Sequence, residues 1–229
     1  MKICFIIGHG KSKSGGYDPG AMSGEYQEFK IAKEIGRFAC EYFNENYTDV
    51  CDIMNYNGDK YLTERIDAVN ASDYDFIAEF HLNAGGGTGT ECYYHVNGSE
   101  GKKHAEAISK AISDAFGIKN RGAKTKINAT GKDYFAIIRE TKPVAVLIET
   151  MFIDTDDLNH VKASSGQKKC GEAIARAIAE VSGATPKPKE EKNTLYRVQV
   201  GAFKSKDNAE ALVEKLKNAG FNDAFIKSE

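Results

Sequence analysis

Three residues of this chain have the type and position for acid–base or metal chemistry: His9, His81 and Glu149. Each stands at the carboxyl end of an apolar run: KICFIIGH for His9, YDFIAEFH for His81 and VAVLIE for Glu149. The first and last of these runs are continuous and read as strands buried on both faces of a parallel sheet, and YDFIAEF reads as a strand between them in the chain. The carboxyl ends of parallel strands share one edge, and open α/β sheets hold their ligands there. Two imidazoles with a carboxylate make a catalytic zinc set whose fourth position stays open for water. Glu25 and Glu28 both offer the carboxylate. They are three apart at the head of a predicted helix, on similar sides of its first turn, so spacing leaves both open. HExxH is absent, so the two histidines must come from separate elements.

The other polar candidates have simpler readings. His95, His104 and His160 read as strand-face, helix-surface and loop residues. Asp18, in Asp18-Pro19-Gly20, reads as a turn former. Asn83, two residues after His81, either orients a substrate or holds its own loop.

The elements that must position these groups alternate along the chain. After the first strand and a Gly/Ser/Lys-rich loop, Ile31, Ile35, Phe38 and Tyr42 mark a helix from about Glu25 to Asn44. Val50–Met54 is a second strand. Asp59 is the expected cap of a helix carrying Leu62, Ile66 and Val69. Tyr74–Phe80 is a third strand, and Glu91–Val96 a fourth. Ala105, Ile108, Ile112 and Ala115 mark the next helix. Asn120–Asp133 reads as a loop, Tyr134–Ile138 as a short strand, the run after Pro143 as a buried strand, and Gln167–Val181 as a helix. The pattern predicts an α/β fold, a twisted and mostly parallel sheet with helices on both faces, over residues 1–182. A Pro/Lys/Glu linker follows over 183–193. Residues 194–229 form one further β-α-β unit: an alternating Tyr196, Val198, Val200, Ala202 strand, a helix capped by Ser205 and stopped by Gly220, and a strand from Phe221 to Lys227. A single unit of that size cannot bury a core alone.

Composition narrows the function. With 31 basic and 33 acidic residues the charge is nearly balanced, which argues against a nucleic-acid or anionic-membrane partner. No window is apolar enough for a transmembrane helix. The first residues lack the basic region and cleavage site of a secretory signal, so synthesis in the cytoplasm is expected. The five scattered cysteines, with no CxxC pair, read as reduced core thiols.

The ordered segments GHG (8–10), DPGA (18–21), EYQ (25–27), Arg65 and Asn70 ahead of DFIAEFHLNA (75–84), NRGAK (120–124) and VAVLIETMF (144–152) resemble the zinc-dependent N-acetylmuramoyl-L-alanine amidases of the type 3 class. Among these, the amidase domains of clostridial phage endolysins are the nearest in pattern. The resemblance implies Zn²⁺ as cofactor, His9, Glu25 and His81 as its ligands, and Glu149 as the catalytic carboxylate. It thus favours Glu25 over Glu28. This sequence has IGHGKS where the family more usually has DPGHGG. Only a glycine-rich loop separates His81 from Glu91, where some members insert a regulatory helix, so an uncovered site is expected. YRVQVGAF, NAEALVEKLKNAGF and AFIK resemble half of the sporulation-related repeat (SPOR) that binds peptidoglycan. With one half per chain, either two chains pair their halves into one module or the tail is marginally ordered, and a homodimer through this unit is the expectation.

The expected reaction is hydrolysis, by zinc-activated water, of the amide joining the lactyl group of N-acetylmuramic acid to L-alanine of the stem peptide. Two alternatives stand beside it: a zinc peptidase acting within the stem, and a non-hydrolytic wall-binding protein with a structural zinc. A structural site wants four protein ligands, which argues against the latter. The resemblance implies action on the cell wall after holin-mediated release or cell lysis.

Overall fold

The computed structural model describes residues 1–188 and 198–228, in two compact units divided after Pro188. In the first unit the elements run β1 (Lys2–Ile7), the short ribbon strands β2 (Gly10–Lys11), β3 (Tyr17–Asp18), β4 (Met22–Ser23) and β5 (Tyr26–Gln27), α1 (Glu28–Asn46), β6 (Val50–Met54), α2 (Leu62–Asn70), β7 (Phe76–Asn83), β8 (Thr90–Tyr94), α3 (Ser99–Phe116), β9 (Asn120–Lys124), α4 (Ala136–Glu140), β10 (Val144–Phe152), a 3-10 turn (Asp156–His160) and α5 (Ser164–Ser182).

A six-stranded sheet in the order β6-β1-β7-β10-β8-β9 forms the frame. β6, β1, β7 and β10 are parallel, while β8 runs antiparallel to β10 and β9 follows β8. Alternation along β1 shows how both faces are covered. Ile3, Phe5 and Ile7 join the core that includes Ile35, Phe43, Ile108 and Ile174 of α1, α3 and α5. Cys4 and Ile6 instead meet Ile66, Val69, Ile137 and Ile138 of α2 and α4 on the opposite face. All five cysteines are free and buried. Among the described residues no helix is long and apolar enough to cross a membrane.

Several local expectations are revised. α1 begins at Glu28 rather than Glu25, because residues 22–27 form a hairpin whose turn is Gly24–Glu25. α2 is capped at Tyr61, not Asp59, with Glu64 Oε2 accepting the Tyr61 backbone N–H at 2.6 Å. Asn120–Asp133 contains β9; its polar sequence suits an outer strand paired on one side only. Tyr134–Ile138 is not a strand but the entry to α4, a five-residue helix that buries Ile137 and Ile138.

In the second unit, α6 spans Lys206–Asn218 with Ser205 at its N-cap. The expected flanking strands are absent among the described residues, and part of the first, Tyr196 included, lies outside them. A strand needs a neighbour to satisfy its backbone, and one half-repeat has no sheet to join. The apolar residues remain in solvent, with Val198 84 % and Phe225 74 % exposed.

Candidate active site

His9 follows β1 in a left-handed backbone conformation, φ 61°, which is costly for a residue other than glycine. Three donors hold it there. Asn55 Nδ2 donates to the carbonyls of Ile7 (2.7 Å) and His9 (2.8 Å), and Arg65 Nη1 donates to His9 O at 3.1 Å. The β2–β3 ribbon pairs Gly10 with Asp18, bringing Asp18 beside the imidazole. His81 and Glu149 lie inside β7 and β10, which continue beyond them, and the parallel register sets the two side by side. Gly8 makes room for His81, since a Cβ there would come within 2.3 Å of the imidazole Nε2.

Glu28, the first residue of α1 and only 4 % exposed, completes the group. Its Oε1 lies 3.1 Å from His9 Nε2 and 2.9 Å from His81 Nδ1. Backbone N–H groups of Leu82 (3.1 Å to Oε1) and Ala21 (2.8 Å to Oε2) fix the carboxylate. Burial would raise its carboxyl, but the two imidazoles hold it well below the usual carboxylate range. One ligand atom from each of His9, Glu28 and His81 lies within 4.8 Å of the others. Glu25 is not part of the group. It sits exposed on the hairpin turn, so the helical spacing that made it equivalent to Glu28 does not apply.

Behind each imidazole stands a second carboxylate. Asp18 Oδ2 is 3.0 Å from His9 Nδ1, while its Oδ1 accepts the Gly20 N–H, so Asp18 both shapes the turn and braces the ring. Glu79 Oε2 is 3.3 Å from His81 Nε2, and Glu79 Oε1 is 3.2 Å from Arg65 Nη2. Carboxylates in this position fix the tautomer and orientation of metal-binding histidines. Glu79 lies within DFIAEFHLNA, but nothing in the sequence gave it a role of its own. Asn55, equally silent there, acts through the backbone, donating to the Ile7 and His9 carbonyls and accepting the Lys60 N–H.

The cleft over these groups encloses about 420 Å³ and is lined among others by Lys11, Tyr61, Arg65, Asn83, Phe135 and Glu149. Three buried side-chain atoms among the described residues lack a hydrogen-bond partner: Arg65 Nε, Glu79 Oε1 and Glu149 Oε2. All three belong to residues lining this cleft. Burial is the main force raising the Glu149 carboxyl, to about 7, with Glu28 and Glu91 adding repulsion against the opposing pull of His81. An unpartnered carboxylate tuned near neutrality suits proton transfer. Asn83 is committed locally: Oδ1 accepts the Ala84 N–H at 2.9 Å and Nδ2 donates to Glu91 at 2.9 Å. His95 pairs with Asp133, His104 stacks on Phe76 while bonding Ser182, and His160 packs on Phe116.

Known proteins resemble this chain in both sequence and fold. The N-acetylmuramoyl-L-alanine amidase family profile matches residues 3–180, and the SPOR domain profile matches residues 171–228. The sporulation-specific N-acetylmuramoyl-L-alanine amidase of Bacillus subtilis is 31 % identical over 99 % of this chain and 84 % of its own length. Among solved structures, Cwp6 from Clostridium difficile has a TM-score of 0.71 at 32 % identity, over 79 % of this chain and 29 % of that one. The catalytic domain of the CD27L endolysin targeting Clostridia Difficile has a TM-score of 0.62 at 28 % identity, over 79 % of this chain and 97 % of that one.

Proposed function

The chain belongs to the N-acetylmuramoyl-L-alanine amidase family, and from that premise we propose that it cuts peptidoglycan between the lactyl group and L-alanine through His9, Glu28, His81 and Glu149. The observation that carries this reading is the convergence of three ligand atoms beside the half-buried Glu149, whose Oε2 is buried without a hydrogen-bond partner. Two neutral imidazoles and a carboxylate, each braced by a second shell, suit zinc and leave one side of the group facing the cleft. Bound there, zinc would act as a Lewis acid toward the scissile carbonyl and lower the pKa of its water to about 7. Glu149, deprotonated, takes a proton from the attacking water and returns it to the departing L-alanine amine as the C–N bond breaks. Its neighbour His81 is held by Glu28 and Glu79, and His9 by Asp18 and the Asn55 and Arg65 donors, so neither ring must reorganise during the reaction.

Digestion of purified cell wall tests the reading. New L-alanine amino termini and peptide-free glycan are expected, and a chelator should stop their release. Fragments cut within the stem peptide would instead identify a peptidase. Glu79→Gln, which keeps the volume but removes the charge behind His81, is expected to weaken zinc affinity about 10–100-fold in competition with a chromophoric chelator. Unchanged affinity would remove Glu79 from the second shell.

Among the described residues no helix is inserted between β7 and β8. The loop after β7 is short and stapled: Asp154 Oδ2 accepts the Gly85 (2.7 Å) and Gly86 (3.0 Å) N–H groups, and Asp157 holds Thr88 and Gly89. The enzyme is therefore active without an activating partner. We read residues 1–182 as the catalytic unit, 183–193 as a linker and 194–229 as the peptidoglycan-binding unit, with release to the wall through a holin or by lysis of the cell. The exposed Val198, Val200, Phe203, Phe221 and Phe225 around α6 are covered when two chains pair their SPOR halves. Sedimentation of the full chain at micromolar concentration should then give a dimer. A monomer with the tail folded would refute the pairing.

A further inference from the structure

Beside Glu149, next to the cleft, β8 and β9 carry a charged cluster whose Glu91 adds repulsion at Glu149 but whose two cations have no part in the reaction just described. Glu91 stands directly opposite Glu149 in the β10–β8 register and is 3 % exposed. Its Oε1 accepts from Asn83 Nδ2 and the Tyr93 hydroxyl, each at 2.9 Å. Its Oε2 accepts from Arg121 Nε and, at 2.6 Å, from Lys124 Nζ. Two cations on one carboxylate leave a positive excess on β9. Among the described residues both side chains hydrogen-bond Glu91 alone, and they remain 29 % and 34 % exposed. Most N–H donors of the guanidinium are therefore uncommitted. The cluster is continuous with the cleft, because Tyr93 packs on Phe135 at 4.8 Å and both Asn83 and Phe135 line it.

We infer that Arg121 and Lys124 form a subsite for the carboxylate of the stem-peptide residue that follows L-alanine, with buried Glu91 as the template that holds the two cations in place. The spacing supports this. Strands lie about 4.8 Å apart, so β9 is about 10 Å from β10 and Glu149. An extended peptide advances about 3.5 Å per residue, which puts the residue after L-alanine about 7 Å from the scissile carbonyl. Arginine and lysine side chains span the remainder. Planar guanidinium geometry suits a carboxylate, and a charge-assisted bond separates it from the neutral amide of the same shape. The inference rests on the amidase reading, since it takes the scissile bond to lie at Glu149.

The test uses the full chain with soluble muramoyl-peptides in which the residue after alanine carries either a free carboxylate or a primary amide. The wild type is expected to show kcat/KM about tenfold higher for the acid, chiefly through KM. Arg121→Gln and Lys124→Met should each pull that ratio toward one, while Arg121→Lys retains part of it. Because the ratio is taken within one protein, partial loss of folded enzyme cancels. Equal kcat/KM for acid and amide in the wild type, or a ratio unmoved in both variants, would show that the cluster merely braces β9 and would overturn the subsite. Cleavage of neither substrate, with cell wall also left intact, would instead overturn the amidase reading beneath it.

Discussion

Glu149→Gln is expected to lower peptidoglycan hydrolysis by about 10²–10⁴-fold, the usual contribution of a general acid–base group, while zinc content stays unchanged. Dye release from labelled cell wall and metal analysis of the same preparation check both halves. The same substitution should stabilise the protein. Burial raises the Glu149 carboxyl from 4.5 to about 7, so the folded state holds a proton that the unfolded chain has already released. The cost of the buried charge is absent below about pH 4.5, grows between there and about 7, and is fully present above. It amounts to about 3 kcal/mol at about 1.4 kcal/mol per unit. In chelator-treated protein at pH 8, Glu149→Gln should therefore melt higher than wild type, and the difference should vanish at pH 4. Near-normal lysis by the variant would falsify the catalytic assignment; an unchanged melting temperature at pH 8 would falsify only the claim that the charge is held at a cost.

Alanine at Glu28 should abolish tight zinc binding and activity together, and alanine at Glu25 should alter neither by more than about twofold. The asymmetry follows from position. Glu28 places one oxygen within 3.1 Å of both imidazoles and is fixed by two backbone N–H groups, whereas Glu25 is exposed on a hairpin turn. Removing a carboxylate from a three-ligand zinc site takes away a third of the protein ligands and the charge that offsets the cation. Glu28→Ala also leaves the Ala21 and Leu82 N–H groups without an acceptor, so circular dichroism should accompany the metal analysis. Full zinc occupancy in Glu28→Ala, or its loss in Glu25→Ala, would reverse the assignment.

The strength of the bracing around the site depends on contacts between residues far apart in the chain. Arg65 of α2 meets Glu79 of β7, Glu79 meets His81, and Asn55 after β6 holds the backbone of His9. Asn55 lies outside every motif segment, and within those segments nothing local assigns Arg65 or Glu79 a bracing role. Each became part of the site only because β6, β1 and β7 are adjacent in the sheet.

Much of the framework was legible beforehand. Continuous apolar runs before His9 and Glu149, and the largely apolar YDFIAEF before His81, identify buried parallel strands and the edge they share, since a strand covered on both faces is apolar at nearly every position. Periodicity likewise located the helices now labelled α1, α3 and α5. The misreadings fall where local pattern carries least information. β9 is a polar outer strand, α4 is shorter than two turns, and the described residues flanking α6 form no strand. Glu25 and Glu28 show the division most sharply. By sequence they are two acids three apart, and the helical spacing that made them equivalent presumed a helix that starts three residues later. Tertiary structure separates them, because the Met22–Gln27 hairpin turns Glu25 to solvent and the docking of α1 carries Glu28 beneath both histidines. Sequence alone thus determined which edge of which sheet brings His9, His81 and Glu149 together, through hydrophobic burial along single strands. Which carboxylate completes the group, and which ones brace it, was decided only by how separate elements pack.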